Sequence, residues 1–398
     1  MDRVDCAGRP VMDEPKAATP CAVCGCRQLH PLLELAAVPV HCNRLWPTRQ
    51  AALAAPRGAL HLVDCPDCGH IGNSAFVPQW LDYQGGYENS LHFSPLFQDY
   101  ALALARYLVE KYQLRGRHIL EIGCGKGDFL RLLAQLGQNL GTGFDPSWEP
   151  GRNQQENLDF VADLFTPERA AGLQPDFVCC RQVLEHLPDP VAFLGGLRLA
   201  LEGRPVPVFF EVPNAAHTIS AAGIWDLIYE HPSFFSAHSL TEAFTRAGFR
   251  VLAVQEAFAG QYLWIEALAA GGGDVPSPVL PDRPSLERFA SQFASRLELW
   301  RQRLGALERR QGRAVIWGAG SKGVTFLNLV GGRAITHAVD LNPYKQGKYL
   351  PGTGQRVIAP EELPVQAPDL VLVMNPIYRR EIVAHLERLG LQPAVETL

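Results

Sequence analysis

The stretch LEIGCGKGDFL, residues 120–130, decides the fold. An apolar run beginning at RHILEIG reads as a strand, and it breaks into Gly123, Gly125 and Gly127 within five residues. GDFLRLLAQLG then has helical spacing. Glycines at such a turn let the backbone curl tightly and come close to a ligand. About twenty residues on, LGTGFD reads as a second strand ending in Asp145. PDFVCCRQVLEH and PVPVFFEVPN supply further strands, with helical patterns between them. That alternation predicts an α/β fold, a parallel sheet covered by helices.

The turn also constrains its ligand. Asp145 can accept both hydroxyls of a ribose, and Asp163, in FVADLF where the third strand should end, suits an adenine amino group. A dinucleotide site would look the same so far. Glu121 separates the two, because an acid just before the glycines disfavours a pyrophosphate and suits a cationic sulfonium. The expected cofactor is S-adenosylmethionine.

Working outward, residues 21 to about 80 are rich in cysteine and turn residues. Cys21 and Cys24 form one CxxC, and Cys65 and Cys68 a second. Two such knuckles complete a tetrahedral four-sulfur site, so a structural Zn2+ is expected here. Cys26, His41, Cys42 and His70 are read as spectators. A ribbon that binds RNA is the competing reading, but this stretch lacks the basic and aromatic cluster it would need.

On the other side of the core, GGGDVPSPVLPDRPS (271–285) reads as a linker. Phe289, Phe293, Leu297, Trp300, Leu304 and Leu307 then mark one face of a long helix, expected to dock on its own domain. RAVIWGAGSKG and ITHAVDLN restart the strand–turn–helix–strand pattern. Gly318, Gly320 and Gly323 with Asp340 form a nicotinamide-type fingerprint, so a fused dehydrogenase is a rival reading.

Composition sets the bounds. The chain has 398 residues, 47% hydrophobic and 19% charged, as in an ordinary globular enzyme. A net charge of -5 argues against a nucleic-acid partner. No apolar run reaches membrane-spanning length, and MDRVDCAGRPVMDEPKAATP has no signal-like core and reads as a loose tail. Ten cysteines without a leader point to metal ligands and thiols, hence to the cytoplasm.

RQVLEHLPDP resembles the fourth-strand motif of the methyltransferase class, which would set Gln182 near the cofactor and His186 towards the substrate. Beyond the fifth strand comes EVPNAAHTISAAGIWDLIYEHPSFFSAHSL (211–240). With the double CxxC, this core, the segment ending in FFS and the terminal Rossmann-like unit, the chain resembles the deoxysugar C-methyltransferase family. The resemblance implies a zinc-binding domain (1–80 with the tail), an S-adenosylmethionine-dependent domain (81–270), and a linker, long helix and Rossmann-like substrate-binding domain (271–398). It implies methyl transfer to a carbon of a nucleotide-linked 4-keto sugar. His231 is carried over as the base and Glu230 as its neighbour, with His186 and Tyr83 around the sugar. The family places a tyrosine two positions before the glutamate; this chain has Ile228 there, and Tyr229, next to Glu230, is taken as the catalytic aromatic instead. Where the family has a GGS-like turn, this chain reads GQYLWIEA.

Asn214 joins the substrate candidates, as do Gly318, Gly320 and Lys322 as a diphosphate cradle, helped by Lys345 or Arg379. A terminal unit that packs for stability alone is the plain alternative to that cradle. Asn375 and Tyr378 stand at a strand end where open α/β sheets hold ligands. The chemistry fits: a C–H beside a ketone must lose its proton before carbon can accept a methyl group, and a near-neutral imidazole can take it. O- or N-methylation on the same scaffold is the alternative.

Overall fold

The computed structural model describes residues 20–83, 85–170, 172–201, 204–269 and 285–398, with the paired two-residue strands Arg3–Val4 and Pro10–Val11. The remainder of the expected N-terminal tail, and the 271–285 linker apart from its last residue, lie outside the described residues.

The glycine turn sits where the sequence puts it. Strand His118–Ile122 lies between parallel partners Leu140–Phe144 and Phe177–Arg181 in a seven-stranded sheet. Leu158–Val161 closes one edge in parallel. Pro207–Pro213 continues the other side in parallel, and Tyr262–Leu268 and Arg250–Ala257 add antiparallel strands. The sheet therefore runs to either side from His118–Ile122, and the gap above this switch point is where ligands of open α/β sheets bind. This is a Rossmann-like α/β fold.

Local chemistry explains the covering helices. Pro95–Lys111 starts at Ser94, whose hydroxyl accepts from Phe97 N at 3.3 Å, with proline at the first helical position. It buries Phe97, Ala101, Leu104, Ala105 and Leu108, spaced by ones, threes and fours on one face. Pro190–Ala200 repeats the device with Asp189 as cap.

Two smaller sheets flank this core. His30–Pro39, Arg57–Asp64 and Ile71–Asn73 form an antiparallel meander. Its fourth strand, Ser233–Phe234, comes from the segment that follows His231. At the other end, five parallel strands run Arg356–Ile358, Ile335–Val339, Ala314–Trp317, Leu370–Val373, Ala394–Thr397. The long helix Leu286–Arg309 buries Phe289, Phe293, Trp300, Leu304 and Leu307 in a core shared with both smaller sheets; Leu297 is half-buried. No helix among the described residues is long and apolar enough to cross a membrane.

Candidate active site

A crevice of about 390 Å³ opens where the carboxyl ends of the two parallel sheets face each other. Gly123, Gly125, Glu121 and Gln182 line it from the central sheet, and Gly318, Gly320, Lys322 and Asn375 from the terminal one. His186 and His231 line the same space.

The glycine turn is built for close approach. Gly123, Gly125 and Gly127 all have positive φ, and a Cβ on Gly123 would stand 2.0 Å from Val183 Cγ2. Glu121 is buried, its Oε2 has no partner among the described residues, and burial pushes its pKa up to about 8. An orphaned carboxyl beside an open turn suits a cationic ligand. Gln182 takes a left-handed backbone (φ 56) at its strand end and donates to Glu211 at 3.2 Å.

Two acids behave otherwise than expected. Asp145 stands behind the turn, accepting from Gly125 N at 2.8 Å and from Ser147 N and Oγ at 2.7 and 2.6 Å. A carboxylate offers about four acceptor sites, so it cannot take both ribose hydroxyls without giving up one of these donors. Asp163 points outward and pairs with Arg169 at 2.6 Å, with half of its side chain exposed. A cation within reach in solvent holds it there, away from the crevice.

The histidine segment also differs in detail. His231 and His186 meet edge to face, ring centres 4.7 Å apart. Burial, reinforced by His186, lowers the His231 pKa well below the ordinary value, and burial lowers that of His186 to about 4. Both rings are thus neutral at pH 7. His186 Nδ1 lies 2.9 Å from the Glu230 carbonyl oxygen, which only accepts, so this nitrogen carries the proton. The Tyr83 hydroxyl lies 3.0 Å from the same nitrogen, and Tyr83 is not among the residues that line the crevice.

Glu230 does not orient His231. Its carboxyl turns towards the loop that follows strand His30–Pro39, where Oε2 accepts from Cys42 N at 2.8 Å, and burial raises its pKa to about 7. Tyr229 is turned away as well: its hydroxyl accepts from Val77 N at 2.9 Å and its ring stacks on Trp80. The Ser233–Phe234 pairing fixes this segment against the meander, and consecutive side chains point to different sides. Tyr229→Phe should therefore leave kcat nearly unchanged while costing about 1–3 kcal/mol of stability, the usual cost of an unmet buried N–H. Steady-state kinetics and a thermal melt on one preparation check this.

Asn214 caps helix Ala215–Ser220, accepting from Ala216 N at 3.0 Å and donating to Gly260 O and Glu256 at 2.9 and 3.1 Å. With both ends of its amide engaged, it does not line the crevice. Lys322 reaches the crevice but is paired with Asp226. Asn375 exchanges two amide hydrogen bonds, 2.8 and 3.2 Å, with Gln261. Gln261 is the residue that departs from the family's small turn, and here it ties that turn to the terminal sheet. Of the two helpers expected for the cradle, Lys345 lines the crevice and Arg379 does not; Tyr378 does.

Among the lining residues that escaped the sequence reading are Arg181, Glu185 and Glu211. Arg181 and Glu211 sit directly opposite on neighbouring strands and pair at 3.0 Å, and Glu185 is 1% exposed with its pKa raised to about 8 by burial. The terminal sheet repeats the central design, since Asp340 accepts from Ala319 N at 2.9 Å as Asp145 does from Gly125 N.

Away from the crevice, Cys21 and Cys68 Sγ lie 3.5 Å apart, Cys24 and Cys65 Sγ 3.4 Å, and all four sulfurs fall within 4.8 Å of one another. Disulfide sulfurs would be about 2.05 Å apart. Four sulfurs at about 2.3 Å from one ion would be separated by slightly more than the two closest pairs here. Both knuckles have one geometry: Gly25 N bonds Cys21 O at 2.9 Å, Gly69 N bonds Cys65 O at 2.8 Å, and both glycines have positive φ. The donors fit a closed tetrahedral site. Of the four spectators, His70 approaches it with Nδ1 3.8 Å from Cys21 Sγ, and the Cys26 carbonyl accepts from Cys21 N at 2.9 Å.

Known proteins match parts of this chain. Residues 93–254 match a methyltransferase domain, and residues 280–392 a C-methyltransferase C-terminal domain. The C-methyltransferase NovU of Streptomyces niveus is 29% identical over 291 residues, 67% of this chain and 68% of that protein. A ubiquinone biosynthesis O-methyltransferase of Erwinia tasmaniensis is 31% identical over 134 residues, 31% of this chain. The chain spans about half the length of that relative (52%). Among solved structures, magnesium protoporphyrin IX methyltransferase from Synechocystis aligns with a TM-score of 0.34 at 18% identity, covering 47% of this chain and 90% of that one.

Proposed function

We infer that this chain, an S-adenosylmethionine-dependent methyltransferase, delivers its methyl group to a carbon beside a ketone of a nucleotide-linked deoxysugar or similar sugar. The observation that carries this reading is one placement: the neutral His231 ring opens into the crevice that both glycine turns line. The NovU relative and the match over residues 280–392 favour carbon as the acceptor.

When bound, S-adenosylmethionine supplies an electrophilic methyl group on a sulfonium. Glu121, Gly123, Gly125 and Gln182 would hold it at the switch point, with the orphaned Glu121 carboxyl facing its positive end. Asp145 would keep the turn in shape through Gly125 N. In the acceptor, His231 takes the proton beside the ketone. Its lowered pKa keeps the ring unprotonated at neutral pH, while the general-base step still has proton-accepting capacity in the transition state. His186, its Nδ1–H fixed on the Glu230 carbonyl, packs against His231 and sets its ring plane. Gly318, Gly320 and Lys322 form the cradle for a diphosphate, with Lys322 leaving Asp226 for the phosphate oxygens. Asn375 and Gln261 hold the two halves of the crevice in register. A structural Zn2+ on Cys21, Cys24, Cys65 and Cys68 completes this reading.

Transfer of a 13C-labelled methyl group to a panel of nucleotide-linked ketosugars tests it. The expected product carries 13C–13C coupling in acceptors labelled at the carbon beside the ketone. A methyl bonded to oxygen or nitrogen would overturn the assignment.

A further inference from the structure

Glu185, His186 and His231 form a cluster that the base mechanism uses only in part. One donor atom from each comes within 4.8 Å of the other two. We propose that these three residues bind a divalent transition-metal cation in the crevice, at a site separate from the four cysteines.

Three observations support it. Glu185 is 1% exposed, yet its Oε2 has no hydrogen-bond partner among the described residues. A buried carboxylate oxygen left without a partner is costly, and a cation supplies one. His186 donates Nδ1–H to the Glu230 carbonyl, which leaves the other ring nitrogen as a lone-pair donor. Metal-binding histidines are oriented in this way, by a carbonyl or carboxylate on the second nitrogen. His231 has no side-chain hydrogen bond among the described residues, so its lone pair is also available.

The donor set selects the ion. Two imidazole nitrogens and one carboxylate oxygen suit Co2+, Ni2+ or Zn2+ better than Mg2+ or Ca2+, which prefer oxygen-rich shells. Tetrahedral donors at about 2.1 Å from an ion stand about 3.4 Å apart, so modest side-chain rotations close the cluster. Three protein ligands leave the remaining coordination positions open towards the crevice. His231 cannot hold an ion and take a proton with the same lone pair. The cation-loaded and base-competent forms are therefore alternatives, and the cation competes with turnover. Binding itself does not depend on the base assignment; only this competition rests on the function inferred above.

The test uses the full chain with its cysteine site occupied by zinc, freed of loosely held ions and titrated with Co2+. One added equivalent is expected, with weak visible bands of nitrogen and oxygen ligation and without the intense thiolate transition. Glu185→Gln and His231→Gln should each weaken binding at least tenfold, with circular dichroism and S-adenosylmethionine binding unchanged. Co2+ that enters only the thiolate site, or affinity unaltered in both variants, would overturn the proposal. Co2+ binding in a protein that methylates no ketosugar would leave this site standing and sink the function instead.

Discussion

His231→Gln lowers kcat by about a hundred- to ten-thousand-fold, the usual contribution of a general base. That corresponds to about 3–5 kcal/mol of barrier. The expectation follows from position: His231 is the neutral imidazole that opens into the crevice with no carboxylate oriented on it. Glutamine fills much of the ring's volume and has no basic nitrogen. The fold should persist, because Tyr229, Phe234 and Phe235 around it are anchored by their own buried contacts. Single-turnover kinetics with calorimetric binding of S-adenosylmethionine separate the outcomes. A variant that keeps a tenth or more of the wild-type rate would remove His231 from the role of base.

The second large effect is expected far from the crevice. With the four cysteines holding zinc as proposed above, Cys65→Ser should lower bound zinc from about one ion per chain to almost none, because a four-thiolate site cannot close with three. Metal-binding energy at such a site is folding energy, so the meander should loosen first. The consequence should reach catalysis through a short path. Cys65 and Cys68 directly precede strand Ile71–Asn73, and this strand pairs with Ser233–Phe234, two residues after His231. His70 also packs on Phe235, ring centres 5.6 Å apart. Loss of methyl transfer by at least tenfold is therefore expected, together with early proteolytic cleavage between residues 20 and 80. Elemental analysis, limited proteolysis and activity on one preparation check it. A variant of full activity without zinc would break the link.

The features legible in the sequence were those written in local order. The glycine turn, its acid, the two CxxC knuckles and the alternating strands depend on residues close along the chain, and each appears where its spacing put it. Features that depend on strand register were hidden. Arg181 and Glu211 are thirty residues apart and become a pair only because two strands align them. Side-chain direction was equally hidden. Tyr229, Glu230 and His231 are adjacent, yet the hydroxyl goes to Val77, the carboxyl to Cys42 and the imidazole to the crevice. Only the pairing of Ser233–Phe234 with the N-terminal meander dictates that fan. Asn214 and Asp163 were claimed by nearer partners, a helix end and Arg169, which single-residue chemistry does not reveal.

Solvent-deuterium entry into the acceptor tests proton abstraction by His231 most directly. The protein, a nucleotide-linked 4-keto deoxysugar and S-adenosylhomocysteine would be incubated in deuterium oxide and followed by proton NMR. Exchange of one C–H beside the ketone without methylation is expected, and it disappears in His231→Gln. Methyl transfer from S-adenosylmethionine to the same sugar with no such exchange at any stage, and with the methyl on oxygen, would contradict it.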